Sequence, residues 1–529
     1  MSTVSRRAFV AGTAGVTAGV LAGLDRSAQA EPKRGGTLVI ASAGVPTLNP
    51  AILSGGGPGL PGAQLFASLL EFDDQFRPRP YLATSWDMSA DGLAYTFHLV
   101  PTAVFHDGAP ITSEDVAFSL DTVRANSPFG PTMFGSVDRV ETPDSHTAKF
   151  VMKRPDPAFL SCLAPILLPV LPKHVFDKGP IRMNPANLAP VGSGPFKFVE
   201  FKQGNYVILE RFNNFFRPNR PLLDKIVIRI IHDSETLVLA LESGEIDYVS
   251  GEGLHYSDIL RLQKNKKFVT TRKGFEALGP VDYLQFNLRK PPFNKALVRQ
   301  AIAHAIDKNF IVDKLQYGLT KRLDGPLNPE NPFASKDLTL YKYDLEKAKK
   351  LLNEAGYPMK GDARFKVTLD AGPFYPDGLV LVADYLKPQL KRIGIDVEQR
   401  TSPDFGTWVK WISNYEYDFT MNSSWNYPDP TIGVSRLFLC NNQRKGVMWA
   451  NNEGYCNPVV DHLLNTAARE MHMDVRKELY RSFQKNVTTD LPFIWTTTET
   501  LYAVFNKSVH NVQNTVWGPL QPLDAAYKT

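Results

Sequence analysis

The sequence predicts an α/β fold of more than one domain. Three observations predict it. The chain has 529 residues, more than one small hydrophobic core can organise. Short β-rich runs alternate with segments of helical periodicity over most of its length. No stretch rich in Gly, Ser or Pro separates the halves, so the domains are joined by strands that cross more than once and not by one flexible tether.

The N-terminus stands apart. MSTVSRRAFVAGTAGVTAGVLAGLDRSAQA places Arg6 and Arg7 before a Gly- and Ala-diluted apolar run from Ala8 to Leu24, then the small-residue pattern Ala28-Gln29-Ala30. That run falls short of the ~20 strongly apolar residues of a membrane span. Ser5-Arg6-Arg7-Ala8-Phe9-Val10 fits a twin-arginine export signal cleaved near Ala30, a receptor-read address, with an ordinary secretory signal as the alternative.

GGTLVIAS (Gly35 to Ser42) is the first β-rich run, and YTFHLV and HTAKFVM are further runs after Tyr81. Between those two, Thr112 with Asp115 three residues on forms a capping-box pattern before Val116, Leu120 and Val123 at helical spacing. YVILERF and KIVIRII are strands. SETLVLALESG reads as a helix capped by Ser234 and ended by Gly244, and IDYV resumes a strand at Ile246. Such a β–α–β unit implies neighbouring parallel strands.

In the second half, PFNKALVRQAIAHAIDKNF puts Val298, Ala301, Ile302, Ala305 and Ile306 on one helix face behind Asn294 as cap. DLEKAKKLLNEAGYP begins at Asp344, turns Leu345, Ala348, Leu352 and Ala355 inward, and stops at Gly356 and Pro358. FKVTLD, LVLVADYLKPQLKRIG, IDVEQR, a short helix and YDFTMN repeat the β–α–β scheme. SSWNYPDP, Ser423 to Pro430, therefore follows the carboxyl end of a parallel strand, where open α/β sheets hold ligands.

Composition excludes some functions. The formal charge of +5 with 21% charged residues leaves no basic footprint for nucleic acid. No G-x-S-x-G elbow, P-loop or G-x-G-x-x-G occurs. The ten histidines form no H-x-x-x-H or H-x-x-E-H pair, so neither a local metal site nor a cofactor is expected. Of the three cysteines, Cys440 and Cys456 would close a loop of about 16 residues in an oxidising compartment; three buried thiols are the alternative.

RGGTLVIASAGVPTLNP, LATSWDMSADGLAYTFHLVPTAVFHDGAPITSEDVAFSL, VGSGPFKFVEFKQGNYVILERFNNFF, LESGEIDYV, PPFNKALVRQAIAHAIDKNFIV and YDLEKAKKLLNEAGYP occur in that order. Together they resemble the ABC transporter extracellular solute-binding protein family 5, the peptide, nickel and opine type. The resemblance spans nearly the whole mature chain. It implies a two-lobed periplasmic binding protein, class II and cluster C-like, with mixed sheets, an extra domain and a two-strand hinge. Lobe I would comprise residues 31–75, 192–285 and 497–529, domain II residues 76–191, and lobe III residues 286–496. Tyr283 to Leu288 and the stretch near Leu491-Pro492-Phe493 would cross between lobes. The implied function is capture of a peptide or peptide-like solute by a periplasmic monomer, without catalytic residues, and delivery to ABC permease subunits in the inner membrane. A sensor or chaperone on the same scaffold, and a non-peptide ligand such as an opine or sugar derivative, are the alternatives. A secreted hydrolase is a further class and would need a nucleophile–base pair in the cleft.

The resemblance also points to residues. The loop aligned with SSWNYPDP lines the cleft, making Asn422, Ser424, Trp425, Asn426, Tyr427 and Asp429 ligand candidates; core packing behind the loop is the alternative for Trp425 and Tyr427. Peptide-binding members pair an aspartate with the ligand's ammonium at the position of Asn426, and dipeptide binders carry a basic residue where Gly372 stands. A free dipeptide is therefore disfavoured, because a buried terminus without counter-charge is costly. Phe374 and Tyr375 of AGPFYPDG, Thr47 and Asn49 after the first strand, and His255 after IDYVS complete the candidates. A disulfide after the Asp-Pro loop in some members favours the Cys440–Cys456 bridge.

Overall fold

The computed structural model describes residues 32–251, 253–372, 379–498 and 501–529; the export signal, Phe374 and Tyr375 lie outside these ranges. The chain opens with β1 (Thr37–Ser42). A hairpin of β2 (Leu70–Phe72) and β3 (Pro78–Pro80) follows. Then β4 (Ala83–Met88), β5 (Ala94–Leu99), β6 (Val137–Asp144) and β7 (Thr147–Met152) build an antiparallel sheet in the order β4-β5-β7-β6. The helix Ser113–Asn126 packs on it behind the expected Thr112–Asp115 capping box, with Val116, Leu120 and Val123 buried.

The chain then returns to β1. β8 (Phe196–Lys202), β9 (Tyr206–Arg211), β10 (Lys225–Ile230), β11 (Tyr248–Gly251) and β12 (Phe268–Thr271) join it. With β18 (Tyr502–Asn506) they give a seven-stranded sheet, β12-β18-β11-β1-β10-β9-β8. Two expectations need correcting here. β10 and β11 are parallel but not neighbours: β1 lies between them and pairs with both. A strand nearly two hundred residues earlier fills the gap, which local pattern cannot reveal. The intervening helix Ser234–Ser243 is capped by Asp233, whose carboxylate accepts the Thr236 N–H at 2.7 Å, and not by Ser234. Gly244, at φ +82°, ends it as expected.

The second lobe carries β13 (Pro280–Phe286), β14 (Phe365–Ala371), β15 (Ile395–Thr401), β16 (Phe419–Trp425) and β17 (Phe493–Trp495) in the order β15-β14-β16-β13-β17. β14 runs parallel to β15 and β16, whereas β13 is antiparallel to β16 and β17. Strand β13 belongs whole to this sheet, so a boundary at residues 285/286 would divide a strand. The helix Ala296–Ala305 starts from Lys295 rather than Asn294, and its expected face is buried. Asp344 caps the helix Leu345–Glu354 by accepting from Lys347 N–H.

Period-two alternation divides the burial. Leu284, Phe419 and Met421 face one core, and Val281, Tyr283 and Trp495 the other. The largest core joins the seven- and four-stranded sheets and also takes in Tyr427 and Ile432 from the second lobe. Cys440 and Cys456 form a disulfide with Cα atoms 4.6 Å apart, and Cys162 is a buried free thiol.

Candidate ligand-binding seam

Register places the seam between the lobes. In the second lobe, Trp425 at the carboxyl end of β16 pairs with Pro280, the first strand residue after the chain crosses over. The carboxyl ends of the parallel strands β14, β15 and β16 therefore point at the first lobe. In the seven-stranded sheet, Gly251 at the carboxyl end of β11 pairs with Tyr502, just after the chain has crossed back. The carboxyl ends of β1, β10 and β11 therefore point the other way, at the second lobe. The crossing segments hold each other: Asp282 N–H donates to Thr497 C=O and Thr496 N–H to Asp282 C=O, both at 2.9 Å. The Asp282 side chain is buried there, and burial pushes its carboxyl up to about 7.

The SSWNYPDP loop lies on this seam. Trp425 is half-buried and packs against the core shared with the first lobe. Tyr427 has its ring wholly enclosed, with centroids 5.5 Å from Phe129, 6.3 Å from Trp517 and 6.1 Å from Trp425. It adopts φ +57°, unusual for a non-glycine residue. Its N–H donates to Leu278 C=O, and its C=O accepts from Asn331 Nδ2, so the strained turn is pinned on both sides. Of the two aromatics of this turn, Trp425 is half-buried at the seam and Tyr427 is enclosed across it.

Several other candidates have their polar atoms engaged within the protein. Asn426 Oδ1 accepts from Asn328 N–H at 2.6 Å and Nδ2 donates to Pro326 C=O at 3.0 Å. Asp429 pairs with Arg476 at 2.8 Å and accepts from Thr431 N–H. Asn422 donates to Gln285 Oε1 at 2.7 Å. Thr47 donates to Asn187 C=O, Asn49 donates to Asn187 Oδ1, and Asn49 also accepts from Ala51 N–H, so their loop is tied to Asn187 far along the chain. Ser424 is buried opposite Val281. His255 sits at the start of the helix Tyr256–Lys264 with its N–H bonded to Ser234 Oγ. Gly372 is buried just beyond β14.

Sequence reasoning missed Phe129, Trp517, Asn328, Arg476 and Arg436. Arg436 and Arg476 are buried cations. The one available signal was an arginine inside the apolar run VSRLFLC. Among the described residues no cluster of three or more His, Cys, Asp or Glu side chains could hold a metal.

Two α/β lobes, joined by two crossing segments and turning the carboxyl ends of their parallel strands toward one seam, define a two-lobed periplasmic-type binding protein. Residues 77–445 match the bacterial extracellular solute-binding proteins, family 5 Middle, and the chain belongs to that family. It is similar to the glutathione-binding protein GsiB of Pectobacterium atrosepticum, 28% identical over 456 residues that are 84% of this chain and 85% of that protein. The periplasmic binding protein DppA from Helicobacter pylori in complex with peptide STSA superposes with a TM-score of 0.82. It is 27% identical, and the match covers 94% of this chain and 98% of that one. NikZ from Campylobacter jejuni in complex with Ni(L-His) gives 0.80 at 26% identity, covering 90% and 95%. The chain is an extracellular solute-binding protein of that family. No helix among the described residues is long and apolar enough to cross a membrane.

Proposed function

We propose that the chain is exported to the periplasm and there captures a peptide or peptide-like organic solute between its lobes. The lobes turn as rigid bodies about the segments near Pro280 and Thr497. A solute that touches both walls only in the closed form shifts the population to it, and the permease of an ABC importer reads that form. The observation that carries this reading is the register: Trp425 against Pro280 and Gly251 against Tyr502 aim both sets of strand ends at one seam.

Trp425 offers the solute an apolar face or ring to stack on. Asn426 offers no charge to an ammonium group, and both ends of its amide are engaged. A free dipeptide is therefore a poor ligand, and a longer or blocked peptide or a conjugate is favoured.

The test is native mass spectrometry of the protein purified from its own host, followed by identification of any released molecule. A peptide-like solute at one per chain is expected, and Trp425→Ala should weaken its rebinding at least tenfold, ~1.4 kcal/mol. A released solute of unrelated chemistry, or capture indifferent to Trp425, overturns the reading.

A further inference from the structure

We propose that Arg436 receives a carboxylate, or an equivalent oxyanion, of the captured solute. The proposal rests on capture at the seam and adds the chemical class of one end of the ligand.

Arg436 is 7% exposed. Its Nε donates to Gly433 C=O at 3.2 Å and its Nη1 to Trp449 C=O at 2.7 Å. Its guanidinium lies over the Phe129 ring, 4.2 Å from the centroid, so the extra domain covers one face of the cation. An aromatic face attracts a cation but brings no counter-charge. Two buried arginines elsewhere in the lobe show what a satisfied site looks like. Arg476 pairs with Asp429 at 2.8 Å. Among the described residues Arg299 has no carboxylate partner either, but Nε, Nη1 and Nη2 all donate to carbonyls, of Leu491, Phe293 and Asp490. Arg436 has neither arrangement: among the described residues no carboxylate pairs with it, and Nη2 makes no hydrogen bond to the protein.

Its position is that of the seam. Gly433 packs directly against the carbonyls of Trp425 and Asn426, and Trp449, which accepts from Arg436, donates its indole N–H to Ser423 C=O. Tyr427 and Tyr283 are close enough to interact electrostatically with the guanidinium. Tyr283 is itself buried. Burial pulls the guanidinium down to about 10, which is the mark of a cation lacking its anion. A buried charge without a partner is costly, and an oxyanion that meets the free Nη2 edge while Phe129 stacks on the face would remove that cost. Because Phe129 and Arg436 come from opposite sides of the seam, such a ligand contact forms on closure.

The test uses the full mature protein, stripped of bound solute by unfolding and refolding, in titrations monitored by tryptophan fluorescence. The probes are tetra-alanine and hexa-alanine acids, the same peptides as C-terminal amides, and gluconate against glucose. Wild type should bind an acid at least tenfold tighter than its neutral counterpart. Arg436→Met should abolish that preference, while its unliganded melting temperature stays level or rises because a buried unpaired charge has gone. Equal affinity for acid and neutral partners, a preference that survives in Arg436→Met, or no binding by any acid overturns the proposal. If Arg436→Met does not fold, the wild-type acid-to-amide ratio and Arg436→Lys decide. Gluconate binding that depends on Arg436, with no peptide binding, would refute the peptide reading while upholding this one.

Discussion

Removing the Asp429 carboxylate should destabilise the second lobe far more than it weakens solute binding. Asp429 is 4% exposed and Arg476 2%, and their closest approach is 2.8 Å. Asp429 Oδ1 also accepts from Thr431 N–H at 2.9 Å, capping the short helix Pro430–Gly433. Arg476 is held in place by Ala467 C=O and by the Phe333 ring. Breaking one side of a buried pair leaves an uncompensated charge and costs about 3–5 kcal/mol; the lost cap adds about 1 kcal/mol. Asp429→Asn keeps an acceptor for the cap and should lose about 3–5 kcal/mol. Asp429→Ala should lose about 4–6 kcal/mol. At about 2–4 °C per kcal/mol for a unit of this size, the Asn variant should melt roughly 6–20 °C lower. Asp429→Leu combined with Arg476→Met, which removes both charges, should recover most of the loss. The assay is thermal and urea unfolding of the four proteins, with fluorescence following the second lobe. A loss below about 1 kcal/mol, accompanied by failure to bind solute, would show that Asp429 serves the ligand and that the ion pair is incidental.

The other predictions concern the linkage, the crossing and the plug. Reduction of Cys440–Cys456, or its replacement by serines, should cost about 3 kcal/mol on the chain-entropy estimate for this loop; an unchanged urea midpoint under reductant would contradict it. Asp282, held by burial at about 7 against an ordinary 3.8, keeps in the folded chain a proton that the unfolded chain releases. Its contribution is thus fully present below about pH 4 and is lost as pH rises to about 7; Asp282→Asn should flatten that slope, and an identical pH profile for both proteins would refute the assignment. Tyr427→Ala should favour the open form of the unliganded protein, seen as a larger radius of gyration in small-angle scattering, and an unaltered scattering curve would count against the plug.

What was legible in the sequence was local. Thr112 with Asp115, Asp344 before its helix and Gly244 after another each act within a few residues, so a run of letters contains the whole interaction. The parallel strand ahead of SSWNYPDP was legible for the same reason, since β14, β15 and β16 follow one another with helices between. What escaped was contact between distant segments. The position of β1 between β10 and β11 depends on pairing across the chain. Asp429 looks like a polar loop residue until Arg476, 47 positions on, is placed beside it. Asn426 looks like a weakened ammonium anchor until the loop at residues 326–328 is seen to hold both ends of its amide. Hydrogen-bonding capacity is visible in sequence, but whether it is already satisfied is not.

The two aromatics of the turn show how one short loop can set the balance between open and closed forms. Opening the seam must withdraw the Tyr427 ring from Phe129 and Trp517, and exposing a large buried side chain costs about 1.5–3 kcal/mol. The chain's own contacts therefore favour closure before any solute arrives. That bias is opposed by the other group facing Phe129. Closure stacks Phe129 over Arg436 and removes water from a cation that no carboxylate among the described residues neutralises, which favours opening. A plug that closes and a charge that resists oppose each other in an empty protein, and a solute anion cancels only the opposing term. A ligand with no differential interaction between the two forms cannot move the equilibrium however tightly it binds. Arg436 supplies that difference, because its cost is incurred in the closed form and relieved there by the ligand.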